Sequence, residues 1–366
     1  MEKANQLGLH NVHVHLIRAV AITAAILVHA AGRWLITSQE LNQLPPLGIV
    51  SWSTVLIYQC LAVLGVPLFL MLSGLLLLHP EKLQPEKKES LRVFFKKRFT
   101  RIGLPFIFWT PIYFVWVYLT QNIPLTPGVI IQGTLNGAYT QFWYIYVLFG
   151  LYILTPLLRI IIIHAGQTLI KYFLGLWLIG AAILPFFSLI FPYQLNHNVF
   201  TITGYVGYFI LGVYLCWVQP IDRKKTLGAM LLGITLTALG TYVLMVSGAG
   251  EGMYFFQAYL SPTVILASTM AFLLLLTVRP PSNQQKTKPA LYNKLITTIS
   301  QNTLGIFFVH VIVIETIQRG YVGFMLNREI LNPIIEVPLL TIITLFISLG
   351  IILLLKKIPH IEKVVT

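Results

Sequence analysis

The sequence has few charged residues. Asp, Glu, Lys and Arg make up only 10% of its 366 residues, whereas soluble globular domains carry about 25%. Hydrophobic residues account for 57% of the chain, more than a soluble fold can bury. The only cysteines, Cys60 and Cys216, lie within apolar segments, so neither a disulfide nor a cysteine-bound metal is expected. This composition excludes a soluble protein and predicts an integral membrane protein.

Ten apolar segments are long enough to cross about 30 Å of hydrocarbon. Lipid offers no hydrogen-bond partners, and the segments are too long and too unalternating for barrel strands, so helices are predicted. The segments lie at approximately 16–36, 52–78, 102–120, 141–163, 170–190, 200–218, 226–246, 256–278, 296–317 and 334–355. The predicted fold is an all-α, polytopic membrane bundle forming one domain over residues 1–366, without a separate soluble domain. The polar stretch 279–294 is predicted to be a loop within it.

The basic residues predict which face of the bundle is cytoplasmic, because Lys and Arg accumulate on that side. With both termini inside, all but three of the 25 Lys and Arg residues fall on the cytoplasmic face; the exceptions are Arg33, Arg319 and Arg328. One misplaced crossing would scramble this alternation. The net charge of +14 is therefore explained by topology, and nucleic acid is not expected as a partner.

The first apolar segment carries two ionisable residues, Arg18 and His29. They are eleven positions apart, which is three helical turns plus about 20°, so they share one face about 16 Å apart along the helix. Arg18 is expected at the cytoplasmic edge and His29 deep in the bilayer. An ionisable group there is costly and usually faces the bundle interior, which makes His29 a candidate general base. The alternative is a structural histidine bonded to a neighbouring helix.

A second basic group stands at the start of the third apolar segment. Arg98 and Arg101 are three apart and can clamp an anion from one helical face, with Lys96 and Lys97 beside them. The alternative is also strong. Basic residues at a cytoplasmic helix end are expected from topology and from anionic lipid headgroups alone.

These two stretches together resemble acyltransferase family 3, a family of integral membrane enzymes that transfer acyl groups from a cytoplasmic thioester donor to sugars and related acceptors. Arg18 with His29 matches the family's Arg/His spacing, and Arg98-Phe-Thr-Arg101 matches its double-arginine motif. The resemblance covers most of the chain. Weaker supporting stretches are Gly65–Gly74, Phe142–Tyr146 and the late helix Leu304–His310, which ends in histidine.

The resemblance implies an O-acyltransferase that uses acetyl-CoA or a related acyl-CoA, with His29 and Arg18 catalytic and Arg98, Arg101 and Lys97 near the donor. Its acceptor would be a hydroxyl of a sugar, glycan or lipid-linked sugar, and the pattern suits a bacterial or archaeal plasma membrane. Physically, His29 can deprotonate the acceptor hydroxyl or accept the acyl group itself. The sequence leaves both routes open, together with the acyl group and the oligomeric state.

Glu315 is the one acidic residue well inside an apolar segment. It can neutralise His29 or Arg18, or it can pair with Arg319 one turn later on the same helix. The local pair is slightly favoured.

Four further residues are weaker substrate-binding candidates. His310 lies five positions before Glu315 and can contact the acceptor or serve packing. Ser73, next to Gly74, is more simply explained by close helix packing. Trp143 and Tyr144 begin a helix at the outer interface, where an aromatic belt is expected, although sugar stacking uses the same side chains.

Two other functions remain to be weighed. His10, His13 and His15 suggest a metal at first sight, but their spacing fits no common ligand motif and no metal is expected. The main alternative to an enzyme is an exporter or flippase of a saccharide or lipid-linked intermediate. Such transporters tend to have matched broken helices in two halves, and the sequence offers no matched pair.

Overall fold

The computed structural model describes residues 11–32, 38–79, 89–190, 204–218, 222–248, 250–278, 291–326 and 330–365. Within these ranges every regular element is a helix and no strand occurs, in agreement with the predicted all-α class. Some features singled out in the sequence lie outside the described residues: Arg33, Arg328, His10, residues 80–88 of the basic loop, and residues 279–290 of the polar stretch.

The helices follow one another with short connections. Residues 99–103, between α5 and α6, are π-helical. The helices are α1 Asn11–Ala31, α2 Ser38–Asn42, α3 Pro46–Ala62, α4 Gly65–Leu78, α5 Leu91–Arg98, α6 Leu104–Gln121, α7 Pro127–Asn136, α8 Trp143–His164, α9 Gln167–Leu178, α10 Leu184–Ile190, α11 Val206–Tyr214, α12 Arg223–Val246, α13 Pro262–Leu276, α14 Leu291–Gln301, α15 Thr303–Gln318, α16 Pro333–Leu355 and α17 Glu362–Val365.

Eight helical spans in the described part of the chain are long and apolar enough to cross a membrane. They correspond to eight of the ten predicted segments. The predicted segment 200–218 contains a shorter apolar helix over Val206–Trp217, and the segment 296–317 overlaps α14 and α15, which meet at 81°. Near this bend the Asn302 side chain donates to the carbonyl oxygen of Thr298, and the Thr303 hydroxyl donates to those of Ile299 and Ser300. Such side chains compete with regular helix hydrogen bonds. The chain is thus a multi-pass membrane protein, and ten crossings remain a prediction.

Helix α1 lies at the centre of the bundle, packed against α3, α4, α13, α14, α15 and α16. It begins at Asn11, five residues before the predicted start. Its first turn is held by two histidines: His13 Nε2 lies 2.8 Å from the carbonyl oxygen of Val278, and His15 Nδ1 lies 2.9 Å from the hydroxyl of Ser300. These bonds explain the early start, which hydropathy alone did not indicate.

Helices α4 and α11 cross at a glycine on each side. A Cβ atom added to Gly74 would lie 1.8 Å from the carbonyl oxygen of Phe209, and one added to Gly212 would lie 1.9 Å from that of Met71. On each helix, the glycine follows by three residues the residue whose carbonyl group meets the glycine of the other helix. Gly74 follows Met71, and Gly212 follows Phe209. Gly74 therefore has the packing role that the sequence favours for it.

Gly74→Ala should strongly destabilise the protein, because the added methyl overlaps backbone that cannot move independently. Overpacking of this kind costs about 1–3 kcal/mol or more, so thermal unfolding in detergent should occur at a clearly lower temperature. Gly150→Ala on α8 is the matched control, since an added Cβ there meets nothing within 4 Å. Equal unfolding temperatures for the two variants would contradict the close crossing.

Candidate active site

Two histidines from different helices lie together inside the bundle. His29 is in the last turn of α1 and His310 is in the middle of α15, and their ring centroids are 5.1 Å apart with the rings tilted by 58°. His310 is fully buried, and His29 is partly exposed. The two residues were separate candidates in the sequence, and the structure joins them in one site.

His310 has one ring nitrogen engaged and the other free. Its Nδ1 lies 2.7 Å from the carbonyl oxygen of Phe307 and 3.2 Å from that of Ile306. Carbonyl oxygens only accept hydrogen bonds, so Nδ1 carries a hydrogen, and Nε2 of the neutral ring is an acceptor. This Nε2 is buried and has no hydrogen-bond partner among the described residues. Such an acceptor costs about 1–3 kcal/mol, which a substrate hydroxyl can recover.

Aromatic side chains form one wall beside the histidines. Phe307 lies 5.9 Å from His310 between ring centroids, and buried Tyr144 lies 5.6 Å from Phe307. Tyr144 also packs 6.1 Å from Phe69 on α4, one turn before the half-buried Ser73. Tyr144 is therefore linked to the histidine pair through one aromatic side chain, that of Phe307.

Trp143 belongs to a separate aromatic group. Its ring stacks on Tyr259 at 5.4 Å and 30°, and it lies 5.6 Å from Tyr205. The stack joins the start of α8 to the segments before α11 and α13. Trp143 is only partly buried, so part of its ring remains available to a ligand.

Glu315 is held by neighbours other than the histidines. It accepts hydrogen bonds from Trp116 Nε1 at 2.9 Å and from the Tyr139 hydroxyl, and Arg319 lies 3.7 Å away. Arg319 also donates to the carbonyl oxygen of Thr120 at 3.0 Å. The favoured pair with Arg319 is confirmed, and none of these contacts of Glu315 with the described residues involves His29 or Arg18. It ties α15 to α6.

At the other end of α1, the basic residues divide into two groups with different partners. Arg98 lies 3.9 Å from Glu89 and stacks over Phe94 at 4.7 Å. Arg159 of α8 covers Phe94 at 4.9 Å, lies 3.6 Å from Glu89 and donates to the carbonyl oxygen of Leu77 at 3.0 Å. Arg98 therefore takes part in a connection among α4, α5 and α8.

Glu89 holds this connection together by its charge. Burial disfavours its ionised form, but the 2.9 Å hydrogen bond from Lys97 and the charges of Lys97, Arg98 and Arg159 outweigh burial and lower the pKa of Glu89. The carboxylate is therefore ionised near neutral pH. Part of the positive charge of Lys97 and Arg98 is already neutralised inside the protein.

Arg101 is differently placed. It is exposed and lines an open cavity of about 690 Å³ together with Lys96, Lys97 and Thr100 of the same region. It also lies within electrostatic range of Arg18 on α1, and the Tyr152 hydroxyl of α8 lies within electrostatic range of both arginines. Arg98 lies within electrostatic range of Tyr152 as well. Arg101 thus lines the cavity and also lies near the arginine end of the helix that carries His29.

The helix between Arg98 and Arg101 is locally widened. The amide of Leu104 bonds the carbonyl of Phe99, five residues back, over the π-helical segment Phe99–Gly103. Pro105 follows directly, and proline has no amide hydrogen to continue a regular α-helical pattern. Widened turns of this kind occur frequently at functional sites. The regular three-residue spacing assumed from the sequence is therefore modified here.

Several residues around the candidate site could not be singled out from the sequence. Tyr152 lies in a long apolar segment without any distinguishing pattern, and Arg159 and Lys363 count only as topological charges. His13 and His15 bond the backbone of Val278 and the hydroxyl of Ser300, as described above. Among the described residues, no group of three or more His, Cys, Asp and Glu side chains could hold a metal ion.

Comparison with known proteins identifies the family. The family model described as "Acyltransferase domain", acyltransferase family 3, matches residues 11–353, which is nearly the whole chain. No curated protein and no solved structure gave a match. The matched region includes the histidine pair, the arginines and the cavity-lining residues of α5. The chain therefore belongs to acyltransferase family 3.

Proposed function

We propose that this membrane acyltransferase moves an acetyl or similar acyl group from cytoplasmic acyl-CoA to a hydroxyl of a sugar, glycan or lipid-linked acceptor. The observation that carries the proposal is the course of α1. One end brings Arg18 within electrostatic range of Arg101 at the basic cavity, and the other brings His29 to within 5.1 Å of His310. One central helix thus joins an anion site to a pair of potential bases.

The donor is proposed to bind by its phosphates at the basic cavity. Phosphate groups form strong charge-assisted hydrogen bonds with guanidinium groups, and Arg101 is exposed to the cavity with Lys96 and Lys97 nearby. Arg98 supports the site by fixing Glu89 and Phe94. The pantetheine arm would then pass Arg18 and Tyr152 and carry the thioester towards His29.

His29 acts by one of two routes. As a general base it takes the proton of the acceptor hydroxyl, whose oxygen attacks the thioester carbonyl; the C–S bond breaks, and His29 passes the proton to the departing thiolate of CoA. As a nucleophile its ring nitrogen first attacks the carbonyl, and the C–S bond breaks to release CoA, whose thiolate takes the proton of the acyl-imidazolium. The acceptor oxygen then attacks the acyl carbon, the C–N bond of the acyl-imidazole breaks, and the hydroxyl proton returns to the imidazole. In both routes His310 Nε2 can accept a hydrogen bond from the acceptor.

The acceptor is proposed to approach from the face opposite the basic cavity. Tyr144 lies one ring from His310, and the partly exposed Trp143 stacks with Tyr205 and Tyr259 at the start of α8. Sugar rings pack well against such aromatic faces. Ser73 and Glu315 belong to the surrounding frame in this proposal.

The proposed topology has ten crossings with both termini in the cytoplasm of a bacterial or archaeal plasma membrane. It counts the eight long apolar spans, the bent α14–α15 pair and the helix over Val206–Trp217. The charge alternation supports this orientation because it leaves Arg319 as the one basic residue among the described ones on the outer face.

An exporter or flippase is the alternative function. The 81° bend between α14 and α15 is the kind of interruption found in transporters, where it usually has a counterpart in the other half of the protein. Among the described helices, this is the one pair with such a bend. Membership of an acyltransferase family favours group transfer.

The proposal is tested by incubating purified protein in nanodiscs with labelled acetyl-CoA and a panel of monosaccharides, glycans and lipid-linked sugars. We expect label on a hydroxyl of at least one acceptor, with an equal amount of free CoA released. If no acceptor is labelled, CoA does not bind, and a saccharide crosses vesicles equally fast with wild type and His29→Ala, the exporter is supported and the transferase is contradicted.

A further inference from the structure

The end of the chain returns to the basic cavity. Helix α17 packs against α6 and against the π-helical segment that carries Arg101. Its last residue, Val365, is fully buried, and its carbonyl oxygen approaches α15 so closely that a Cβ atom on Gly305 would lie 2.7 Å from it. This docking is specific, because a side chain on Gly305 would prevent it.

Docking of α17 places two charged side chains at the cavity. Glu362 and Lys363 line it opposite the residues that α5 and the π-helical segment contribute. Lys363 is exposed, as are Lys96 and Lys97. Lys97 is already bonded to Glu89 at 2.9 Å, so Lys96 and Lys363 are the lysines of the cavity with charge to offer an anion. Glu362 lies near Lys356 and offsets part of that lysine's charge.

The cations of the cavity are arranged in two levels. Arg101 is at the inner level, because its segment, Phe99–Gly103, runs directly into α6 and because it lies within electrostatic range of Arg18 and Tyr152. Lys96 precedes Arg101 by five residues on the helix that enters the bundle, so it lies further from α1, and Lys363 lines the cavity from the opposite wall. A ligand with two separated phosphate groups matches cations at two depths.

We propose that Lys363 of the C-terminal helix is a donor-binding residue, which together with Lys96 holds the 3′-phosphate of CoA while Arg101 holds the pyrophosphate. The inference rests on the proposed function, since it assumes that acyl-CoA is the donor. The thioester must point inward towards His29. The pyrophosphate, which is nearer to the thioester along the molecule, therefore occupies the inner level and the 3′-phosphate the outer one.

The test compares two ligands that differ only in that group, CoA and 3′-dephospho-CoA. Lys363→Ala should bind CoA roughly tenfold more weakly than wild type, the usual order of effect for one charge-assisted hydrogen bond. Its affinity for 3′-dephospho-CoA should equal that of wild type. Lys363→Glu should show a larger loss with CoA alone. Lys357→Ala, which removes an exposed charge at the same end of the bundle outside the cavity, should bind both ligands normally.

The outcomes separate the two proposals. If wild type binds neither ligand, the proposed acyl-CoA function fails. If wild type binds CoA and Lys363→Ala binds it equally well, the inference about the C-terminal helix fails while the function stands. If Lys363→Ala weakens both ligands by the same factor, the two-level arrangement is overturned. An unchanged unfolding temperature for Lys363→Ala shows that a binding loss is not a folding defect.

Discussion

Replacing His29 by alanine should reduce acyl transfer at least about a thousandfold, because a positioned base or nucleophile typically contributes this order of rate enhancement. Binding of CoA should be unaffected, since the basic cavity lies three helical turns away along α1. The measurement is turnover of labelled acetyl-CoA in the presence of the acceptor, with CoA affinity determined separately. A variant that still transfers at a tenth of the wild-type rate would leave His29 with a structural role only.

A second histidine provides the control. His164 ends α8 and is exposed, so His164→Ala should transfer at the wild-type rate. His310→Ala should fall between the two, because His310 contributes an acceptor nitrogen beside His29 and is itself fully buried. Its loss should appear mainly as weaker acceptor binding, with CoA affinity preserved.

The same variants distinguish the two chemical routes. If His29 accepts the acyl group, wild type mixed with acetyl-CoA alone releases about one equivalent of CoA in a burst and retains the label. His29→Ala then shows neither burst nor label. If His29 acts as a general base, release of CoA requires the acceptor in every case, and no label stays on the protein.

Much of the fold was predictable because hydropathy in a membrane protein follows from one constraint. Every backbone polar group in lipid must be bonded internally, so apolar segments of sufficient length become helices. Eight predicted segments correspond to long helical spans. The departures occur where polar side chains bond outside the regular helical pattern: His13 and His15 bond Val278 and Ser300 at the start of α1, and Asn302 and Thr303 bond backbone carbonyls at the bend before α15.

The candidate site was predictable residue by residue, but its connections were not. His29, Arg18 and the two motif arginines stand out because ionisable groups near lipid are costly. Nothing in a linear pattern could pair His29 with His310, which is 281 positions later, or bring Lys363 to α5. These proximities depend on how α15 and α17 pack, and packing depends on glycine contacts and side-chain shapes that periodicity does not encode.

Arg98 and Arg101 were treated alike in the sequence, and the structure gives them different expected phenotypes. Arg98 is surrounded by Glu89, Phe94 and Arg159, and its Nε is buried without a partner among the described residues. Arg98→Ala should therefore lower the unfolding temperature, because Glu89 loses one of its three cations and Phe94 loses the cover on one face.

Arg101→Ala should instead weaken CoA binding by about 10- to 100-fold at an unchanged unfolding temperature, since hydrogen bonds to charged groups contribute about 1.5–3 kcal/mol. Arg101 is exposed and makes no ion pair within the described residues, so its removal leaves no internal charge uncompensated. Lys171→Ala, which removes an exposed charge near the start of α9, is the control for general loss of positive potential. Calorimetric CoA titration and thermal unfolding of all three variants give the answer. If Arg101→Ala and Lys171→Ala bind CoA equally well, Arg101 does not hold the donor. The proposed route of the donor from the cavity along α1 to His29 is then wrong.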